Sequence, residues 1–158
     1  MNSIKQIEVI YNNRLVGRLA LTREGLCAFE YSAEWLSSGF SISPFELPLR
    51  SGVFIAKPRP FEGGFGVFDD CLPDGWGLLI LDRYLQQKGI NPRTLTLLDR
   101  LALVGSTGRG ALEFRPDNSV VTRQDFADFE KLALEAEKIL ASDDYMGEGI
   151  EEFQDRGG

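Results

Sequence analysis

The chain has 158 residues, 43% apolar and 11% aromatic with eleven Phe, enough to bury a real core and too many for wholesale disorder. It contains no His and two Cys, which excludes His-based acid–base and nucleophilic catalysis and His-bearing metal sites. Its net charge of −7 belongs entirely to the last quarter, since residues 1–116 hold 13 basic and 12 acidic side chains and residues 117–158 hold 4 and 12. That distribution argues against gripping phosphate backbones through bulk charge, so no direct nucleic-acid binding is expected.

The N-terminal MNSIKQIEVIYNN lacks a basic stretch followed by an apolar one, so no signal peptide is expected. No apolar run approaches the ~18 residues of a membrane span. Two lone thiols without metal-ligand spacing then read as reduced and cytoplasmic.

In chain order, Ile7, Val9 and Tyr11 alternate on one face of a first strand. Asn12-Asn13 supplies a tight turn, because Asn tolerates the left-handed region. Leu15–Leu21 returns, with Gly17 marking a bulge, and Cys27–Tyr31 completes a small antiparallel meander. Ser32 is placed to cap a turn carrying Trp35 and Leu36. Pro44, Pro48, Pro58 and Pro60 deny a long helix between residues 32 and 66. Phe45, Leu47 and Leu49 alternate around Pro48 and suit an edge strand.

Helices are expected from about Phe68. Asp74 is placed to cap a helix over Gly75–Lys88 that Gly89 stops. Trp76, Leu79, Ile80 and Tyr84 define its apolar face. Asn91-Pro92 breaks the chain, and Thr94 is read as the cap of a second helix running to Gly105. A turn from Gly105 to Gly110 leads into a strand, Ala111–Phe114. A last helix is expected over Thr122–Leu140, with Thr122 and Asp125 as a capping box. Its apolar face is Phe126, Phe129, Leu132, Ala133, Ala136, Ile139 and Leu140, opposite Asp128, Glu130, Glu135 and Glu137. At least its first two turns are expected to dock on the chain's own domain, and residues 142–158 to be loosely held.

The chemistry-bearing groupings are weak. Gly105 and Gly110 have the glycine spacing of a phosphate loop, but Ala111 and Leu112 stand where Lys and Ser/Thr would be needed. The loop also leads from helix to strand, the reverse of a phosphate loop. Asp69, Asp70 and Asp74 read as helix-capping carboxylates rather than a metal or acid–base site. Cys27 and Cys71, flanked by apolar residues, read as buried structural thiols. Arg14, Arg18 and Arg23 read as a solvated face. No catalytic, cofactor-binding or metal-ligating residue is assigned.

Phe68-Asp-Asp-Cys-Leu72-Pro73-Asp74-Gly75-Trp76-Gly77, followed by Leu-Leu-Ile-Leu-Asp82-Arg83, resembles a signature in the N-terminal region of HipA-type serine/threonine kinases. These are the toxins of bacterial HipBA toxin–antitoxin systems. Val16-Gly17-Arg18-Leu19, Phe45-Glu46-Leu47-Pro48-Leu49 and Leu103-Val104-Gly105 through Gly110-Ala111-Leu112-Glu113-Phe114 agree with that family in order. The resemblance covers roughly residues 5–116, departing at Thr107-Gly108-Arg109-Gly110 and at Cys71, where Ser is common. It implies an α+β fold in which a small antiparallel sheet packs on two or three helices. Residues 1–116 would form the HipA-type N-terminal subdomain, and residues 117–158 an acidic helix and linker toward an absent kinase core. The signature residues Phe68, Leu72, Pro73, Asp74, Gly75, Trp76, Gly77, Asp82, Arg83, Gly105 and Gly110 would be structural.

The resemblance further implies a non-catalytic regulatory or protein-binding module. It would be a fragment or truncated product ending where the family's Gly-rich ATP loop begins, or a freestanding antitoxin-like protein restraining a separately encoded kinase. No cofactor is expected in this chain, ATP and Mg being reserved for a full-length kinase. The implied partners are a HipA-type kinase core, a HipB-like DNA-binding antitoxin, or both, with no membrane.

Overall fold

Adjacent Asn12 and Asn13 both adopt positive φ, 46° and 61°, and this closes β1 (Gln6–Tyr11) onto β2 (Arg14–Leu21). In a computed structural model the described residues are 3–73, 75–108, 110–118 and 122–155, without the side chains of 76, 123, 126, 130 and 143–155. Pairing runs Val9↔Gly17 and then Ile10↔Leu15, so Val16 is the extra residue of a bulge. Gly17 beside it is required, because a Cβ there would collide with the Glu30 carbonyl and the Phe29 ring.

β3 (Cys27–Tyr31) pairs with β2, β4 (Val53–Ile55) with β3, and β5 (Leu112–Arg115) with β1. The sheet is antiparallel in the order β4-β3-β2-β1-β5. Edge β4 corrects the sequence reading. Residues 45–49 do not form a strand but lie in a turn closed by a Ser43–Leu47 bridge, and the edge strand follows it. Pro48 cannot donate to a ladder, whereas the β-rich Val53-Phe54-Ile55 can.

One sheet face carries Ile7, Val9, Leu19 and Phe29 into the core. The other presents alternating charge across the strands, Glu30 opposite Arg18, Arg18 opposite Glu8 and Glu8 opposite Arg115. The Arg18–Glu8 pair closes to 3.8 Å. Arg14 is not merely solvated: its guanidinium lies 4.9 Å from the Trp35 ring centroid and its Nη2 donates to Ser38 Oγ.

Among the described residues, five helices follow from local chemistry. Ser32 caps α1 (Ala33–Ser38) by accepting the Trp35 N–H. The short α2 (Gly66–Asp69) begins where Glu46 Oε1 accepts the Gly66 N–H at 2.9 Å. α3 spans Gly75–Gln87, and the chain leaves it through Gly89 at φ 80°. Among its described residues Gly77, Leu81 and Leu85 are buried, while Leu79 is exposed. Of the expected face, Ile80 and Tyr84 are half-buried against the core, and Leu79 is the correction, being exposed.

α4 spans Leu97–Val104, and its cap is Thr96 rather than Thr94. Pro92 first opens a 3-10 turn, Pro92–Thr94, capped by Asn91, and α4 can begin only after it. Asp99 completes a reciprocal capping box with Thr96. It also accepts the Ile4 N–H at 2.8 Å, tying the start of the chain to α4. α5 runs Arg123–Asp155, well past the expected end at Leu140, with the expected Thr122–Asp125 capping box present. No helix among the described residues is long and apolar enough to cross a membrane.

Candidate partner-binding surface

Phe68 is fully buried in a ring cluster, with centroids 5.5 Å from Phe29, 6.1 Å from Phe65 and 6.3 Å from Phe114. Leu72 and Pro73 are buried after it. Gly75 opens α3 at φ 45°, a conformation that favours glycine. Asp74 and the Trp76 side chain lie outside the described residues, and with them the expected Asp74 cap and the expected place of Trp76 on the apolar face.

Gly77 has a definite role. A Cβ there would stand 2.9 Å from Pro73 Cβ and 3.8 Å from Ala133 Cβ. Its bare backbone is what lets Pro73 fold against the first turn of α3, while Ala133 of α5 lies at ordinary contact distance. The Phe129 ring meets Tyr84 edge-on at 5.4 Å. Phe129 near the end of α3 and Ala133 near its start mean that the two helices run antiparallel. α5 therefore passes the first turn of α3 a few residues beyond Ala133.

Asp82 accepts two hydrogen bonds from Arg100, and Arg100 also donates to the Pro92 carbonyl at 3.1 Å. This pair locks α3, α4 and the 3-10 turn together. Arg83 is exposed. Gly105 ends α4 at φ 49°, and a side chain there would run into the Asp117 carboxylate. Gly110 is exposed at φ 83°. The loop between them connects α4 to β5, as a structural turn does. Phe68, Leu72, Pro73, Gly77, Asp82 and Gly105 thus lie within the packing around α2–α4, whereas Arg83 and Gly110 are exposed.

Asp69 and Asp70 lie at the C-terminal end of α2, with Asp70 as its C-cap, which corrects their reading as N-terminal caps. The chain puts them there because α2 ends after one turn, before the helix they were read to cap. They border a cleft of about 780 Å³ whose walls include Phe61, Gly63, Leu72, Arg93 and Leu97. No group of three or more potential metal ligands occurs among the described residues. Both cysteines are buried and free. Burial pushes the Cys27 thiol up to about 11, and burial with the neighbouring Asp70 charge pushes Cys71 up to about 12. Neither is a nucleophile at neutral pH.

What remains unsatisfied is apolar surface on α5. Phe129 is buried and Ala133 and Ala136 are half-buried. Leu132 stays 49% exposed, Ile139 60% and Leu140 46%. At ~100° per residue these three and Ala136 share one stripe about 100° wide. The Phe126 side chain is outside the described residues. The expected docking is borne out at Phe129 and Ala133, and the rest of the stripe is left facing solvent. That uncovered stripe, beside α3, can seat a partner helix or groove but offers no reacting group.

A family model described as the HipA N-terminal domain matches residues 7–115. Among solved structures, one that is similar is HipA of Shewanella oneidensis MR-1, from a complex of the toxin–antitoxin proteins HipA and HipB with operator DNA. It is 21% identical, with a TM-score of 0.47, over 73% of this chain and 24% of that one. This chain thus spans about a quarter of that HipA chain's length. No curated protein matches.

Proposed function

The chain belongs to the HipA N-terminal domain family, and from that premise we propose that it is a non-catalytic protein-binding module of a HipA-type toxin kinase system. The observation that carries this reading is the stripe of Leu132, Ile139 and Leu140, held exposed on a helix whose first turns are anchored to α3. An apolar stripe of this kind on a globular protein marks a protein contact. Its partner is the HipA-type kinase core, and binding positions or restrains that core. A HipB-like antitoxin is a further partner of the assembled system.

ATP and magnesium do not fit the residues of this chain. Phosphoryl transfer needs a phosphate-anchoring Lys and metal-binding carboxylates. The glycine turn has Ala111 and Leu112 where a phosphate loop has Lys and Ser/Thr, and the described residues hold no metal-ligand cluster. No chemical step is assigned to it.

A second reading is a freestanding antitoxin-like protein acting on a separately encoded kinase. It is favoured by the core, in which the sheet, α1–α4 and Phe129 of α5 bury one another. Titrating this chain into a HipA-type kinase lacking its own N-terminal domain tests the proposal. Calorimetry should give a 1:1 complex of micromolar or tighter affinity, and Leu132→Glu should weaken it at least tenfold. Absence of binding at about 100 μM overturns the proposal.

A further inference from the structure

The exposed row on α5 is not apolar throughout. At ~100° per residue, Asp128, Glu135 and Ile139 all fall within about 60° of Leu132. In chain order the row reads Asp128, Leu132, Glu135, Ile139, in steps of four, three and four residues. All four side chains are exposed. Gln124 Nε2 donates to Asp128 Oδ1 at 2.9 Å, but a neutral amide does not offset the charge. The cations nearest in sequence, Lys131 and Lys138, lie about 100° or more from Leu132 around the helix. Neither comes within 4.0 Å of a carboxylate among the described residues. From Ile139 to Asp155 the helix has six acidic residues and no basic one.

This interleaving limits what can cover the row. Leu132 and Ile139 are two turns apart, and Glu135 lies between them. A surface that takes both aliphatic side chains out of water takes Glu135 with them. A carboxylate removed from water without a counter-charge is costly, so a purely apolar groove fits the aliphatic pair and not the acid between. An acidic protein surface, a nucleic acid and an anionic lipid surface are all repelled by the same two carboxylates.

We infer that the face of the kinase core which receives α5 is cationic as well as apolar: Lys or Arg side chains stand among its aliphatic ones, placed to meet Asp128 and Glu135 while Leu132 and Ile139 are buried. This rests on the proposed function and names the chemistry of its partner surface. The aliphatic pair supplies affinity, and the carboxylates supply register. Sliding α5 by one turn along such a face exchanges acid for aliphatic at each position, so one register satisfies both sets of contacts and its neighbours satisfy neither.

The test is calorimetry of this chain with the same kinase at ~0.05 and ~0.5 M salt. Wild-type binding should weaken about tenfold at the higher salt. Asp128→Asn with Glu135→Gln keeps side-chain size, and its fold is checked by circular dichroism. It should bind about fivefold more weakly at ~0.05 M salt and show a flatter salt dependence. Glu135→Lys should weaken binding further. Glu137→Gln, about 140° from Leu132 around the helix, should stay within about twofold of wild type. Wild-type affinity that salt does not change overturns the inference. So does a neutralised pair that binds as tightly as wild type, or a Glu137→Gln loss equal to that of the pair, which would mean bulk charge rather than the row. In each of these cases, binding that Leu132→Glu still weakens leaves the proposed function standing, whereas absence of any binding overturns both.

Discussion

Replacing Asp99 with Ala should be among the most damaging single changes outside the aromatic core. The residue is 2% exposed. Its carboxylate accepts the Thr96 N–H and the Thr96 hydroxyl, each at 2.9 Å, the Ile4 N–H at 2.8 Å and the Ser3 hydroxyl at 3.3 Å. Alanine removes one half of the capping box, a loss of about 1 kcal/mol. It also strands the Ile4 and Thr96 amides in a part-buried site, at about 1–3 kcal/mol for a buried unpaired group. The sum is about 2–4 kcal/mol, a large part of the ~5–15 kcal/mol that holds a domain folded. Asn keeps one acceptor oxygen and should cost about half as much. Acidification adds a second signature. Burial pushes the Asp99 carboxyl up, but the bonds from Ile4, Thr96 and Ser3 outweigh it and hold the group below its ordinary value. The folded state therefore binds this proton more weakly than the unfolded chain. The resulting stabilisation is present above about pH 4 and is lost as pH falls through the lower folded value. Urea unfolding across pH 2–7 reads both effects, and Asp99→Asn should lack this part of the acid loss. A loss below about 0.5 kcal/mol for Asp99→Ala at pH 7 would refute the reasoning.

Phe129→Ala should cost about 3 kcal/mol and abolish amide protection over 124–136 while the β1–β3 meander keeps its own. Loss of protection in both would mean that α5 and the sheet unfold as one unit. Cys27 and Cys71 should resist a thiol reagent at pH 8 in the native state and react at once in denaturant. Their raised values, about 11 and 12, also mean that stability falls as pH climbs from about 9 toward those values, because the unfolded chain releases these protons first. Fast native labelling would contradict both statements. The chain alone should show no heat of ATP binding with magnesium present, and micromolar binding would overturn the non-catalytic reading.

The parts of this fold that were legible in the sequence are those where local chemistry decides. Asn12-Asn13 permits only a tight turn, Ser32 and Thr122 announce helix starts, and Gly89 and Gly105 announce stops. The cap of α4 was misplaced by two residues because Thr94 and Thr96 have the same side chain. Only Asp99, three residues after Thr96, separates them, and that spacing was there to be read. Edge β4 was missed because three residues between a glycine and a proline loop give no period to detect. The turn at Phe45 was read as a strand because its alternation is real but serves a different end. Leu47 points into the core, whereas Phe45 points to solvent. The exposure of Leu79 on α3 has a similar origin: a helix packed on both the core and α5 does not show a single stripe. The partner surface was only half legible. The apolar face of α5 is plain in the sequence, but which of its residues Gly77 and Tyr84 would cover depends on a tertiary approach that no local pattern encodes.

Hydrogen exchange on the mixture of this chain with a HipA-type kinase core tests the central claim most directly. The account predicts new protection centred on residues 132–140 of α5, with the β1–β3 meander unchanged. Protection confined to other elements, or none at saturating kinase, would contradict the assignment of α5 as the surface through which this module works.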